Sequence, residues 1–219
     1  MTAPYDAIRQ ATEAAGMIVM GALDVAASGA KGLSGGTLIL LGAGPGFWNI
    51  LTAAPEWVDG TPDPIDRWST RVVGGLSDRF GAVAYYPFGG PPYAPFIDWA
   101  QKSGRAFSSP TGMLVHDQVG MMISYRGALH FADAMAFPAP QALSPCESCS
   151  GKPCLSACPV GALGPDHPYD VPRCHAFLDR AAGKSCMMEG CAVRRACPVS
   201  RGANRAPAQS AHHMRSFHR

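Results

Sequence analysis

Apolar residues recur at three- and four-residue steps through residues 4–27, at Ile8, Ala11, Ala15, Ile18, Val19, Ala22 and Leu23. This spacing predicts one amphipathic helix. The glycine-bearing stretch 29–36 predicts a turn, and the continuous apolar run TLILLGAG at 37–44 predicts a buried strand. Its end, Gly42-Ala43-Gly44-Pro45-Gly46, is short of a dinucleotide-binding loop, because Pro45 breaks the G-x-G-x-x-G pattern, and it reads as a turn. Asp63 followed by Pro64 has the form of a helix start, a cap and then a first-turn proline. Ile65, Trp68, Val72, Leu76 and Phe80 follow as the core stripe of that helix.

GAVAYY at 81–86 predicts a second strand, and the Pro- and Gly-rich PFGGPPYAPF after it an irregular loop. A short helix is expected over 97–103, ending at Gly104, then two strand-like segments at 113–116 and 121–131, parted by 117–120. The run PAPQALSP at 138–145 predicts a linker. The organisation expected is an α+β module over 1–137, a linker over 138–145, a cysteine domain over 146–200 and a basic tail over 201–219. The tail reads as mobile, with His212, His213 and His218 part of a frayed end rather than a metal site.

The composition allows a proper core: 47% of residues are hydrophobic and 16% charged. A net charge of +2 gives no case for nucleic acid as a partner. The first residues carry Asp6 and Glu13 and no basic stretch before an apolar run, which argues against a secretory leader, and no apolar stretch reaches membrane-spanning length. A cytoplasmic location is expected. The charge is unevenly spread. Residues 146–219 hold ten Lys and Arg against five Asp and Glu, and residues 1–145 hold eight against eleven.

All eight cysteines fall between residues 146 and 197. The first four, in CESCSGKPCLSACP, are spaced C-x2-C-x4-C-x3-C-P, and the later set is Cys174, Cys186, Cys191 and Cys197, the last followed by Pro198. Compact runs ending in Cys-Pro are how ferredoxins hold iron–sulfur clusters, with the fourth cysteine of each run serving the other cluster. By that rule Cys146, Cys149, Cys154 and Cys197 would hold one [4Fe–4S] cluster, and Cys158, Cys174, Cys186 and Cys191 the other. Lys152, Arg173, Lys184, Arg194, Arg195 and Arg201 are candidates to offset cluster charge, and Val160, Ala162 and Leu163 to seal it from water. Two other readings stay open. The thiols could hold structural zinc, although only one C-x2-C pair is present, or form disulfides in an oxidising compartment.

The string CLSACPVGAL and the later Cys174-His175-Ala176-Phe177 resemble the ferredoxin-like part of epoxyqueuosine reductases and, more distantly, that of reductive dehalogenases. LVHDQVGMMISYRGALHF at 114–131 looks like the strand pair preceding the clusters in that group, and related strands occur in cobalamin-processing chaperones of nitroreductase-derived fold. The resemblance covers roughly residues 80–200. It implies a nitroreductase-like α/β module followed by a small ferredoxin-like two-cluster domain, with a corrin near a cluster that feeds it electrons. Where those reductases have a glycine-rich segment with Asn or His, this chain has SGRAFSSPTG at 103–112, and no catalytic acid is assigned.

A ligand pocket, if built by this module, is expected from Tyr86, Tyr93, His116, Tyr125 and Arg126 over an apolar wall of Met113, Met121 and Met122. Arg126 would clamp an anionic group and His116 would move a proton. The function expected is one-electron transfer through two [4Fe–4S] clusters to a reduction at or near the N-terminal module, in partnership with a redox protein. The alternatives are a corrinoid-binding or cobalamin-processing reductase, with cobalamin or flavin as acceptor, and a zinc-stabilised interaction protein.

Overall fold

The computed structural model describes residues 5–140 and 143–219. Residue 4 of the predicted first helix and residues 141–142 of the predicted linker lie outside them. The chain is a mixed α/β protein that separates into two compact units, one of Met1–Ala106 with Ser124–Ala142 and one of Phe107–Ile123 with Leu143–Arg219. Residues 107–123 thus belong with the cysteines, not with the module expected over 1–137.

The first unit opens with α1 (Tyr5–Ala14) and β1 (Met17–Asp24), not with one helix over 4–27. Gly16, at φ 80°, turns the chain between them in a conformation that side chains disfavour. β1, MIVMGALD, is buried along almost its whole length, and in a fully buried run apolar periodicity does not separate strand from helix. Asp24 then caps α2 (Val25–Ser28), its carboxylate accepting from the Ala27 N–H at 2.8 Å. β2 (Thr37–Ala43) lies where TLILLGAG predicts it, and a turn at 44–46 leads into the short α3 (Phe47–Thr52) and α4 (Pro55–Val58).

α5 (Pro64–Phe80) starts at the predicted proline, but Asp63 is left-handed at φ 55° and makes no side-chain cap bond. That corner is held by Arg67. Its guanidinium donates to both carboxylate oxygens of Asp59 at 2.8 Å and to the Glu56, Thr61 and Pro62 carbonyls at 2.6, 3.1 and 3.0 Å. β3 (Val83–Tyr85) and α6 (Phe96–Lys102) follow. The chain leaves this unit at Ala106, forms β4 (Ala106–Ser108) and β5 (Leu114–His116), and re-enters it at Ser124 as β6 (Tyr125–Phe131).

β1, β2, β6 and β3 form, in that order, one antiparallel sheet. β5 and β6 are therefore not a strand pair: β5 pairs with β4 in a separate two-stranded sheet. In β2, Leu38, Ile39, Leu40 and Leu41 are all fully buried, so the strand is covered on both faces. On one face Ile39, Leu41, Leu129 and Phe131 pack with Ile8, Phe47 and Trp68, the last two in an edge-to-face pair 5.1 Å apart. Two irregularities bend the sheet, one where β1 carries Met20 as an extra residue and one where β6 carries Arg126.

The second unit continues through α7 (Val171–Leu178), α8 (Lys184–Glu189), α9 (Ala192–Ala196) and α10 (Pro207–Phe217), with 3-10 turns at Pro153–Leu155 and Pro198–Ala203. The expected mobile tail is thus largely helical. α10 packs on α8 and buries Gln209, Ser210 and Ala211. Among the described residues no helix is long and apolar enough to cross a membrane.

The side-chain bond from Arg67, with help from the Thr61 N–H, holds the Asp59 carboxyl well below its ordinary range. A carboxyl whose folded pKa is depressed adds stability above its unfolded value, near 4, and loses it as pH falls through the folded value. Asp59→Asn should therefore lower the melting temperature at pH 7, and the gap from wild type should narrow steadily as the pH is lowered below about 4 in a thermal melt series.

Candidate metal centre

The eight cysteines sit on short elements that converge within the second unit. Cys146 and Cys149 lie in the turns at 144–150, Cys154 in the 3-10 turn Pro153–Leu155, and Cys158 in the loop that runs on through Pro159. Cys174 is in α7, which Asp170 caps by accepting from the Arg173 N–H at 2.9 Å. Cys186 is in α8, and Cys191 and Cys197 flank α9 on either side. All eight thiols are free of disulfides.

Charge effects on Cys146, Cys154 and Cys174 link these three thiols to two different sets of neighbours. Burial raises the Cys154 thiol above its ordinary pKa, and Cys146, Cys197 and Cys149 raise it further. Burial likewise raises Cys146, opposed by Ser144 and by the positive charge of Lys152, while Cys197 and Cys149 add to the rise. Cys174 is raised by burial and by Cys191, Cys158 and Cys186, and eased by a hydrogen bond from Tyr169. The neighbours of these three thiols are thus drawn from both ends of the cysteine segment, with Cys197 acting on Cys146 and Cys154, and Cys158 acting on Cys174. Charge acts over longer distances than a metal–ligand bond. Among the described residues no three His, Cys, Asp or Glu side chains close tightly around a single ion.

Around the sulfurs lies an apolar shell of Val115, Met121, Leu163 and Val193, with Cys154 and Cys197 buried among them. Ala162 and Leu163, two of the three expected sealing residues, are buried, and Val160 is half-buried. The Ala162 N–H donates to Cys158 Sγ at 3.2 Å. Burial, and with it the Cys174 thiol nearby, raises the pKa of the Tyr169 hydroxyl, which in turn lowers that of Cys174. An all-sulfur donor set in an apolar shell with N–H and O–H donors to sulfur fits an iron–sulfur cluster, and sulfur ligands alone also suit zinc. Burial favours the neutral form of Cys146, Cys154 and Cys174, and a bound cation would offset that cost.

Residues 107–123 enter this unit through bonds from the far end of the chain. Arg194 Nη1 donates to the Met121 carbonyl at 2.7 Å, Arg205 Nη2 to the Met122 carbonyl at 2.6 Å, and the Met121 N–H to Ser200 Oγ at 3.1 Å. Arg194 and Arg205 therefore have structural tasks, and Arg195 pairs with Glu189 at 2.9 Å. A further network joins the C-terminal end: His218 Nδ1 lies 2.8 Å from His175 Nδ1, and His218 Nε2 lies 3.0 Å from Asp179 Oδ1. His218 is thus tied down, not frayed.

The residues expected to line a ligand pocket are divided between the two units. Tyr86, Tyr93, Tyr125 and Arg126 belong to the first unit, while His116 and the three methionines belong to the second. Tyr86 donates to the Thr70 carbonyl at 3.2 Å, and Tyr93 is 65% exposed on the Pro-rich loop. Tyr125 is buried against Phe96, at 6.1 Å between rings. Arg126 lies 3.5 Å from Asp66, whose carboxyl is raised by burial and lowered again by that guanidinium. His116 is fully buried, its Nδ1 accepting from the Gln118 N–H at 3.1 Å and lying 3.0 Å from Asp117 Oδ1.

Tyr169 is the residue the sequence reading missed. Its position five residues before Cys174 carries no periodic signal, and only the fold of the loop ahead of α7 brings its hydroxyl to the thiol. No family model matches this chain, and no curated protein matches it.

The Arg194 bond is a charged donor to a buried carbonyl, a type worth about 1.5–3 kcal/mol when the acceptor is left unpaired. Arg194→Met should therefore speed proteolytic cleavage within residues 117–123 by roughly 10- to 100-fold under native conditions, read by mass mapping of the fragments.

Proposed function

We propose that this chain is an electron-transfer protein carrying two [4Fe–4S] clusters, one on Cys146, Cys149, Cys154 and Cys197 and the other on Cys158, Cys174, Cys186 and Cys191. The observation that supports this is that Cys146 and Cys154 feel the charge of Cys149 and Cys197, whereas Cys174 feels that of Cys158, Cys186 and Cys191, with all eight thiols free of disulfides. Such interleaving is the ligand rule of two-cluster ferredoxins. Bound in this way, each cluster supplies a one-electron couple.

The chain's own residues prepare the site for that chemistry. Val115, Met121, Leu163 and Val193 exclude water from the sulfurs. The Ala162 N–H and the Tyr169 O–H take up part of the negative charge of Cys158 and Cys174, and such donors to sulfur raise the potential at which an electron is accepted. Lys152 does the same for Cys146 through its positive charge. In this proposal the electrons serve a reduction at or near the first unit, as in the reductases that the cysteine segment resembles, with a corrinoid, a flavin or another small molecule as acceptor.

The reading is tested by electron paramagnetic resonance of the dithionite-reduced, anaerobically isolated chain and of two variants, Cys154→Ala and Cys174→Ala. Each variant should lose about half of the iron and leave the signal of the other cluster, the two residual signals being different. Unchanged iron in either variant would contradict the grouping. A chain with zinc and no signal would replace electron transfer by the zinc-stabilised interaction protein.

A further inference from the structure

Arg126 is a buried charge that the fold leaves incompletely satisfied. Its side chain is 14% exposed, where the other arginines in ion pairs keep 33–57%. Its partner is Asp66, whose Oδ1 lies 3.5 Å from Nη1, and its Nε is buried with no hydrogen-bond partner among the described residues. Arg67, by contrast, makes five hydrogen bonds. The Asp66 side chain is 40% exposed, and the charged groups acting on its carboxylate are Arg126 and Asp63. That carboxylate accepts no hydrogen bond from a described residue. A guanidinium short of acceptors thus stands beside a carboxylate short of donors.

Local features of β6 and α5 build this pair. Gly42 of β2 pairs with Tyr125 and Leu41 with Gly127, so Arg126 is the extra residue of the bulge in β6. Bulges re-aim a side chain and recur beside active sites. The neighbouring Gly127 lets α5 come close to β6, since a Cβ there would lie 2.9 Å from Val73 Cγ1. Asp66, in the first turn of α5, is thereby brought to the arginine. Its backbone is held in place, the Asp66 carbonyl accepting from Thr70 Oγ1 at 2.9 Å and the Thr70 carbonyl from the Tyr86 hydroxyl at 3.2 Å.

A lone anion bound to this guanidinium would meet the charge of Asp66, and a lone cation bound to Asp66 would meet that of Arg126. A molecule that brings both an acceptor and a donor leaves neither group unmet. An α-amino acid carries its carboxylate and its ammonium on one carbon, so it spans two opposite charges a few ångströms apart, and the planar guanidinium suits a carboxylate. We propose that Arg126 and Asp66 form a binding site for a free α-amino acid, its carboxylate accepting from the Arg126 guanidinium and its ammonium donating to the Asp66 carboxylate. The site lies in the first unit and does not rest on the electron-transfer reading.

The test adds each common α-amino acid, one at a time at about 10 mM, to the anaerobically isolated full chain and follows thermal unfolding. At least one should raise the melting temperature by about 3 °C or more. Calorimetry then compares that amino acid with two analogues, one without the amino group and one without the carboxylate, and each should bind the wild-type chain about tenfold more weakly or worse. Arg126→Gln and Asp66→Asn should each weaken binding of the amino acid by about tenfold or more, while Asp78→Asn, exposed on the same helix, leaves it unchanged. No rise with any amino acid overturns the site. Equal binding of either analogue overturns it too, because one charge would then suffice, and this comparison stands even if a variant fails to fold. Unaltered binding in both folded variants puts the amino acid elsewhere and overturns the assignment to Arg126 and Asp66.

Discussion

Thiols gathered in an apolar interior resist ionisation, and they can take up a cation only if the charge of the thiolates so formed is met by positive charge and by hydrogen-bond donors. This constraint organises the second unit. Burial pushes the Cys146, Cys154 and Cys174 thiols toward the neutral form, and their own neighbours push them further. Ser144 and Lys152 oppose that trend in part at Cys146, and Tyr169 opposes it in part at Cys174. A bound cationic centre would complete the balance, and ligation energy would then become folding energy for short helices such as α8 and α9, which have little core of their own.

The same constraint accounts for the arrangement of the surrounding elements. Val115 and Met121, from residues 107–123, supply part of the apolar shell, although they are distant in sequence from the cysteines. The chain crosses into the cysteine unit to deliver them, held by Arg194, Ser200 and Arg205, and returns to complete the sheet with β6. The first unit has a different basis. β2 is buried on both faces, and its partners β1 and β6 both take up a bulge, so the sheet curves around a core of Phe47, Trp68 and Leu129.

Features written in local chemistry were legible in the sequence. The apolar run of β2, the proline that opens α5 and the short helix α6 all lie close to where residue pattern puts them. That all eight cysteines share one unit was legible because they are clustered in the sequence. Features set by distant contacts were not. β1 reads as helix because burial on both sides erases its alternation. Residues 107–123 read as part of the first module because arginines some 70 to 80 positions away decide otherwise. α10 reads as tail because its buried residues are Gln209, Ser210 and Ala211, which carry almost no hydrophobic signal and are ordered by packing on α8. The unit boundary at Ile123 and Ser124, which divides Tyr86, Tyr93, Tyr125 and Arg126 from His116, carries no local signal either.

The central claim is that the eight cysteines hold two cubane clusters. The most direct measurement is the absorption spectrum of the anaerobically isolated chain, with iron and acid-labile sulfide counted per chain. The account predicts a brown protein with a broad band near ~400 nm and about eight of each. A colourless protein holding zinc, or one lacking labile sulfide, would contradict it.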